Sequence, residues 1–242
     1  MTRPKSTPPV ERKPQRDGPA RTVEAFLAHA SRLQPPALRT TQRVIFALDA
    51  TASREPTWDL ACSLHAELFG VAARHGNIAI QLCHYGGHEE FVASPWAMTP
   101  EALLDDMLRV RCKGGRTQLV RVLEHAISEA TRHPVRALVF IGDAFEEDER
   151  ALIAAAGKLA LFGVPAFVCH EGGDPTAFRA FSALARITRG ALVPFAPGSA
   201  ASLREFFGAV AAYATGGLDA LEHLATQRGD GPSRQLLEQL KP

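Results

Sequence analysis

The 242-residue sequence has no uninterrupted apolar run of about 18 residues, the length a membrane-spanning helix needs. No apolar segment of export-signal type follows its start, so neither a transmembrane helix nor secretion is expected. Nucleotide-binding signatures are missing as well: there is no GxxxxGK[ST] loop and no GxGxxG after a strand-like run. A GxSxG nucleophile elbow is absent, which removes the hydrolases built on that turn. Cysteine is scarce, and Cys62, Cys83, Cys112 and Cys169 form no CxxC pair. Each lies in an apolar pattern where a free thiol packs as a small hydrophobe, so a reducing, cytoplasmic compartment is expected. Net charge is only +1, which gives no global reason to expect nucleic acid or an anionic membrane as partner.

The charge is nevertheless unevenly placed. Residues 1–22 hold six basic side chains against two acidic ones, a balance of 6 − 2 = +4. Their first 20 residues include five prolines and almost no large apolar group, so burial cannot repay the entropy of ordering them. Residues 1–21 therefore read as a disordered basic tail. Without aromatic residues it offers no base-stacking platform, and a solvated linker is the default over a polyanion contact. Residues 22–40, with Val23, Phe26, Leu27 and Ala30 at helical spacing before Pro35-Pro36, read as a short docking helix and linker.

With 46% hydrophobic residues, the remainder can bury a full core. From residue 41 to 228, strand and helix signals alternate. VIFAL (44–48), ALVFIGD (137–143), PAFVCH and ALVPF are apolar runs of the kind covered on both faces. NIAIQLCHY and EEFVAS, separated by Gly86-Gly87-His88, read as a hairpin. Helices are expected at 58–74, from Thr99-Pro100, and at 117–131, 148–162, 175–189 and 199–214, with a break at Gly216-Gly217. Residues 229–242 read as a polar tail. The alternation specifies an α/β fold: a doubly wound, mostly parallel six-stranded sheet with one antiparallel edge strand and helices on both faces. In such sheets ligands sit beyond the carboxyl ends of the strands, where the winding reverses.

Three polar segments fall there. Asp49-Ala-Thr51-Ala-Ser53 follows the first strand, Thr117 stands in KGGRTQ before a helix, and Asp143 ends the next buried strand. Two carboxylates and three hydroxyls suit a hard cation, Mg²⁺ first, with Mn²⁺ or Ca²⁺ as substitutes. A plainer reading stays open: Asp49, Thr51 and Ser53 as caps of the following helix, and Thr117 as the N-cap of helix 117–131. Asp143 fits that reading less well, since a carboxylate ending a buried strand needs strong partners.

Together these segments resemble the metal-ion-dependent adhesion site of von Willebrand factor A (VWA) domains, and the element order over residues 40–215 is similar to that family's. The resemblance implies Asp49, Thr51, Ser53, Thr117 and Asp143 as direct or water-mediated ligands. It further implies an intracellular protein-binding module whose metal is completed by an acidic side chain of a partner. The family most often has serine where this chain has Thr51; the hydroxyl is kept.

Two other functions compete. An aspartate-nucleophile phosphatase of the haloacid dehalogenase type would use Asp49 and the Gly142-Asp143 segment. It usually needs a second aspartate where this chain has Thr51, and residues 118–142 contain no lysine to complete its phosphate site. A VWA scaffold that binds partners without metal is the third possibility. Several residues carry weaker signals. His84 and His88 have zinc-like spacing only on a helix, and Glu146 to Glu149 suit a solvated helix start. Trp58, Trp96 and Phe145 read as core more readily than as a partner pocket. No acid, base or nucleophile stands out, so the expectation is a binding protein rather than an enzyme.

Overall fold

A computed structural model of the chain describes residues 41–52, 55–72, 77–196 and 199–241. The expected tail (1–21) and docking helix with linker (22–40) lie outside the described residues. The sheet has six strands: β1 (Gln42–Asp49), β2 (Ile78–Gly86), β3 (Glu90–Ala97), β4 (Val135–Gly142), β5 (Ala166–Glu171) and β6 (Ala191–Phe195), in the spatial order β3-β2-β1-β4-β5-β6. Only the β2–β3 hairpin is antiparallel; β1 pairs in parallel with both β2 and β4. Winding therefore runs outward from β1 in one direction and from β4 in the other, which puts the switch point between them.

Eight helices complete the described residues: α1 (Glu55–Leu64), α2 (Ala66–Ala72), α3 (Pro100–Leu108), α4 (Leu119–Arg132), α5 (Glu149–Leu161), α6 (Pro175–Ile187), α7 (Ala200–Arg228) and α8 (Pro232–Leu240). Alternation along β1 sorts the core. Val44, Phe46 and Leu48 face one cluster with α1, α2, α3, α7 and α8, whereas Ile45 and Ala47 face another with α4, α5 and α6. Both faces of the central strands are thus covered, which is why they read as unbroken apolar runs.

Two expectations need correction, and a third holds. The helix expected at 58–74 begins at Glu55 and divides into α1 and α2. At the junction the His65 Nδ1 lies 2.6 Å from the Cys62 carbonyl oxygen; that nitrogen must donate, and it occupies a carbonyl of the last turn of α1. The break expected at Gly216-Gly217 is present: two helical stretches within Ala200–Arg228 meet at a kink at Gly217, whose φ of 70° and ψ of −159° belong to a region that is essentially glycine-only. Finally, residues 232–240 are not a polar tail. They form α8, which starts on Pro232, buries Leu236 and Leu237, and receives a cap from Glu205 of α7 onto the Ser233 amide (3.1 Å).

The outer edge of β6 is closed by a side chain. Gln239 accepts the Leu192 N–H and donates to the Leu192 carbonyl, both at 2.9 Å. The next residue along that edge to present its backbone outward is Pro194, which has no N–H to offer.

Candidate metal centre

Asp49 ends β1 and Asp143 follows β4, so the two flank the switch point at the carboxyl ends of neighbouring strands. Asp49 is only 2% exposed, and its Oδ1 accepts the Thr51 amide at 2.8 Å. This i to i+2 bond is an Asx turn, and it bends the chain back over the strand end so that Thr51 stays half-buried beside Asp49. Ser53 lies outside the described residues.

Thr117 is 6% exposed and is not the N-cap of α4. That position belongs to Gln118, which makes no side-chain cap bond. Instead the Thr117 hydroxyl accepts the Glu146 amide at 3.0 Å. Glu147 accepts the first amides of the helix, Leu119 at 2.5 Å and Val120 at 3.0 Å. A carboxylate from the loop after β4 thus satisfies open N–H groups and the positive end of α4. Burial pushes the Glu147 carboxyl above its ordinary value; the two amides and the Thr117 hydroxyl pull in the opposite direction. Sequence reasoning took Glu147 for part of a solvated helix start. The amides it caps lie 28 and 27 positions earlier, beyond any local pattern.

The first two segments are also tied together. Ala50 donates to the Tyr85 carbonyl (2.8 Å), Lys113 donates to the Ala50 carbonyl (2.9 Å), and Gly87 donates to the Lys113 carbonyl (3.4 Å). Two glycines permit this closeness. A Cβ on Gly86 would stand 2.6 Å from the Ala50 oxygen, and one on Gly115 would stand 2.1 Å from the Gly87 oxygen. The Lys113 ammonium spans both Glu90 oxygens, at 3.0 and 2.8 Å, and steadies the hairpin end against the loop.

A cavity of about 260 Å³ opens among these segments, lined by Asp49, Thr51, Gly114, Thr117, Asp143 and Glu146 together with three small residues. Among the described residues that line it there is no lysine, arginine or histidine. Among the described residues no three His, Cys, Asp or Glu side chains are placed to hold a metal ion by themselves, so any cation here would need the hydroxyls as well as the carboxylates. The donor chemistry fits Mg²⁺, a hard cation that takes oxygen ligands and retains waters. Thr117 illustrates the fit: a hydroxyl oxygen has two lone pairs, and the bond from the Glu146 amide leaves one for a ligand.

Other candidates resolve as structural. His84 and His88 belong to the β2–β3 hairpin and its turn rather than to a helix. Trp58 is buried and donates to the Met107 carbonyl (3.2 Å), Phe145 is buried, and Trp96 donates to Glu129 (3.2 Å). All four cysteines are free thiols. One further acidic residue went unnoticed in sequence: Glu171, 5% exposed at the end of β5, accepts the Thr57 hydroxyl at 2.5 Å. It anchors the first turn of α1, the helix that follows the Asp49 loop. Its signal was the one used for Asp143, a carboxylate ending a buried strand.

No family model matches the sequence, and no curated protein matches it. Solved structures do. The SpRpn10 VWA domain superposes with a TM-score of 0.52 at 14% identity, covering 66% of this chain and 90% of that one. A von Willebrand factor type A protein from Catenulispora acidiphila gives 0.55 at 17% identity, covering 73% of this chain and 43% of that one. An aerotolerance-related membrane protein from Bacteroides fragilis gives 0.52 at 16% identity, covering 68% and 95%. At such identities the likeness establishes the fold, a VWA-like α/β sheet. Among the described residues no helix is long and apolar enough to cross a membrane.

Proposed function

We propose, taking the VWA-like fold as premise, that this chain is a cytoplasmic, divalent-metal-dependent protein-binding module, an adaptor or assembly factor rather than an enzyme. The observation that carries the reading is an oxygen-lined cavity that Asp49, Thr51, Thr117 and Asp143 line together at the switch point. In this reading those four residues and Ser53 hold Mg²⁺ directly or through water, and Mn²⁺ or Ca²⁺ can substitute. The ion supplies a Lewis-acid site that a carboxylate of the partner completes. The hydrogen bonds among the three segments support it, because they hold the donors in place before a ligand arrives. The SpRpn10 VWA domain and the adhesin SpaC, whose folds are similar, lend the idea of a docking domain and no more.

Isothermal titration with Mg²⁺ and with Mn²⁺ tests this. The expected result is saturable binding near one site, abolished in Asp49→Ala and in Asp143→Ala, with both variants retaining a wild-type circular dichroism spectrum. Adding acetate or a glutamate-containing peptide should strengthen the wild-type response. Absence of binding under both conditions would remove the metal from the function.

A further inference from the structure

A second surface, remote from the metal cavity in its lining residues, carries an inference of its own. Between α6 and α8, along the β6 edge, lies a groove of about 860 Å³, floored by Leu192, Pro194 and Leu240 and flanked by Phe178, which is 46% exposed. A neighbouring cavity of about 520 Å³ shares Phe178 and Pro194 and adds Arg179. The groove itself is lined by Arg186, Arg189 and Lys241, and among the described residues no carboxylate lines either cavity.

The placement of these cations follows from α6. Arg179, Ser182 and Arg186 recur at i, i+3 and i+7, one stripe of the helix, and Arg189 continues it just past the helix end. The opposite stripe, with Ala177, Ala180, Phe181 and Leu184, is buried in the core. Asp174 is committed to capping α6 through the Ala177 amide (2.6 Å), and Glu222 already pairs the groove's own Lys241 (2.8 Å), so the open charge of the rim lies on its arginines. Arg179, Arg186 and Arg189 have no ion-pair partner among the described residues.

We infer that this groove docks an acidic, amphipathic segment of another protein, with carboxylates on the arginines and apolar side chains on the Phe178, Leu192 and Pro194 floor. Three observations select that occupant. The positive rim demands negative charge. The apolar floor favours a peptide over nucleic acid, which needs phosphate contacts along a larger positive face. Strand addition is closed off, because Gln239 fills the Leu192 positions and Pro194 has no N–H, so the segment binds through side chains, as an amphipathic helix does.

The test is fluorescence anisotropy of a labelled amphipathic peptide of leucine and glutamate, titrated with the full chain. The expected result is saturable binding that weakens as salt rises, and weakens about tenfold in an Arg186→Glu/Arg189→Glu double variant. Asp49→Ala should leave it unchanged, which separates this surface from the metal site. A Gln-for-Glu peptide should bind more weakly. Arg179→Glu is a further variant should the double one melt early. The inference is overturned if the acidic peptide shows no saturable binding or if the arginine variants bind it as wild type. It is equally overturned if a single-stranded oligonucleotide binds more tightly through the same arginines, or if sedimentation shows self-association through this face.

Discussion

The carboxylate of Glu147 accepts the Leu119 amide at 2.5 Å, although the residue belongs to the loop after β4 and the amide opens α4. The same carboxylate holds the Val120 amide. Glu147→Ala should therefore lower stability by about 1–2 kcal/mol, the scale of a lost N-cap, whereas Glu146→Ala, at an exposed side chain, should be near neutral. Urea unfolding of the two variants compares them directly. Equal stabilities would mean that the cap contributes nothing.

Neighbouring glycines in the Thr117 loop should respond in opposite ways. A Cβ on Gly114 would meet nothing within 4 Å, while one on Gly115 would stand 2.1 Å from the Gly87 oxygen, a backbone atom. Gly114→Ala should be tolerated; Gly115→Ala should cost about 1–3 kcal/mol, since the hairpin turn must move. Thermal melts of both report the difference, and loss of metal binding in Gly115→Ala alone would link that packing to the cavity.

At Gly217 the backbone occupies φ 70° and ψ −159° with open space around the missing Cβ. Any cost of Gly217→Ala is then conformational rather than steric, about 1–3 kcal/mol. A chemical denaturation midpoint equal to wild type would show that α7 can straighten there without penalty.

His125 supplies a pH dependence. Burial holds its imidazole below the ordinary value of 6.5; Glu129 opposes this and Arg132 adds to it. Its Nε2 lies 2.9 Å from Gln81 Oε1, a carbonyl-type acceptor satisfied by the neutral ring's N–H. With the folded value depressed, the unfolded chain binds more protons below 6.5, so this residue's contribution is present above 6.5 and lost as pH falls through the folded value. Urea unfolding at several pH values should show wild type losing more stability than His125→Gln on acidification below 6.5. Parallel curves would exclude the residue as a source.

Much of this architecture is legible in the sequence because parallel strands covered on both faces become continuous apolar runs, and because Gly86-Gly87-His88 marks the hairpin. Asp49 and Asp143 stand out for the same reason: each charge interrupts a run at a strand end. What escaped notice was decided at a distance. Nothing near Glu147 indicates that it will cap α4, and Thr117 resembles a cap only until the Glu146 amide claims it. The α8 helix is a different kind of miss, since Pro232 at its first turn and Leu236, Leu237 and Leu240 at helical spacing were visible, but a polar setting outweighed them. The split at His65 depends on a ring nitrogen finding a carbonyl three residues back, a choice that periodicity does not register.

The parallel pairing of β1 with β4 has a consequence for how the chain reaches its working form. Between the two strands lie a hairpin and four helices, α1 to α4, so Asp49 and Asp143 become neighbours only after that long excursion has closed. Closing it costs chain entropy before any contact repays it, which places these topologies among the slower folders. No fragment ending before β4 holds both carboxylates. The oxygen-lined cavity therefore forms only once β1 and β4 have paired.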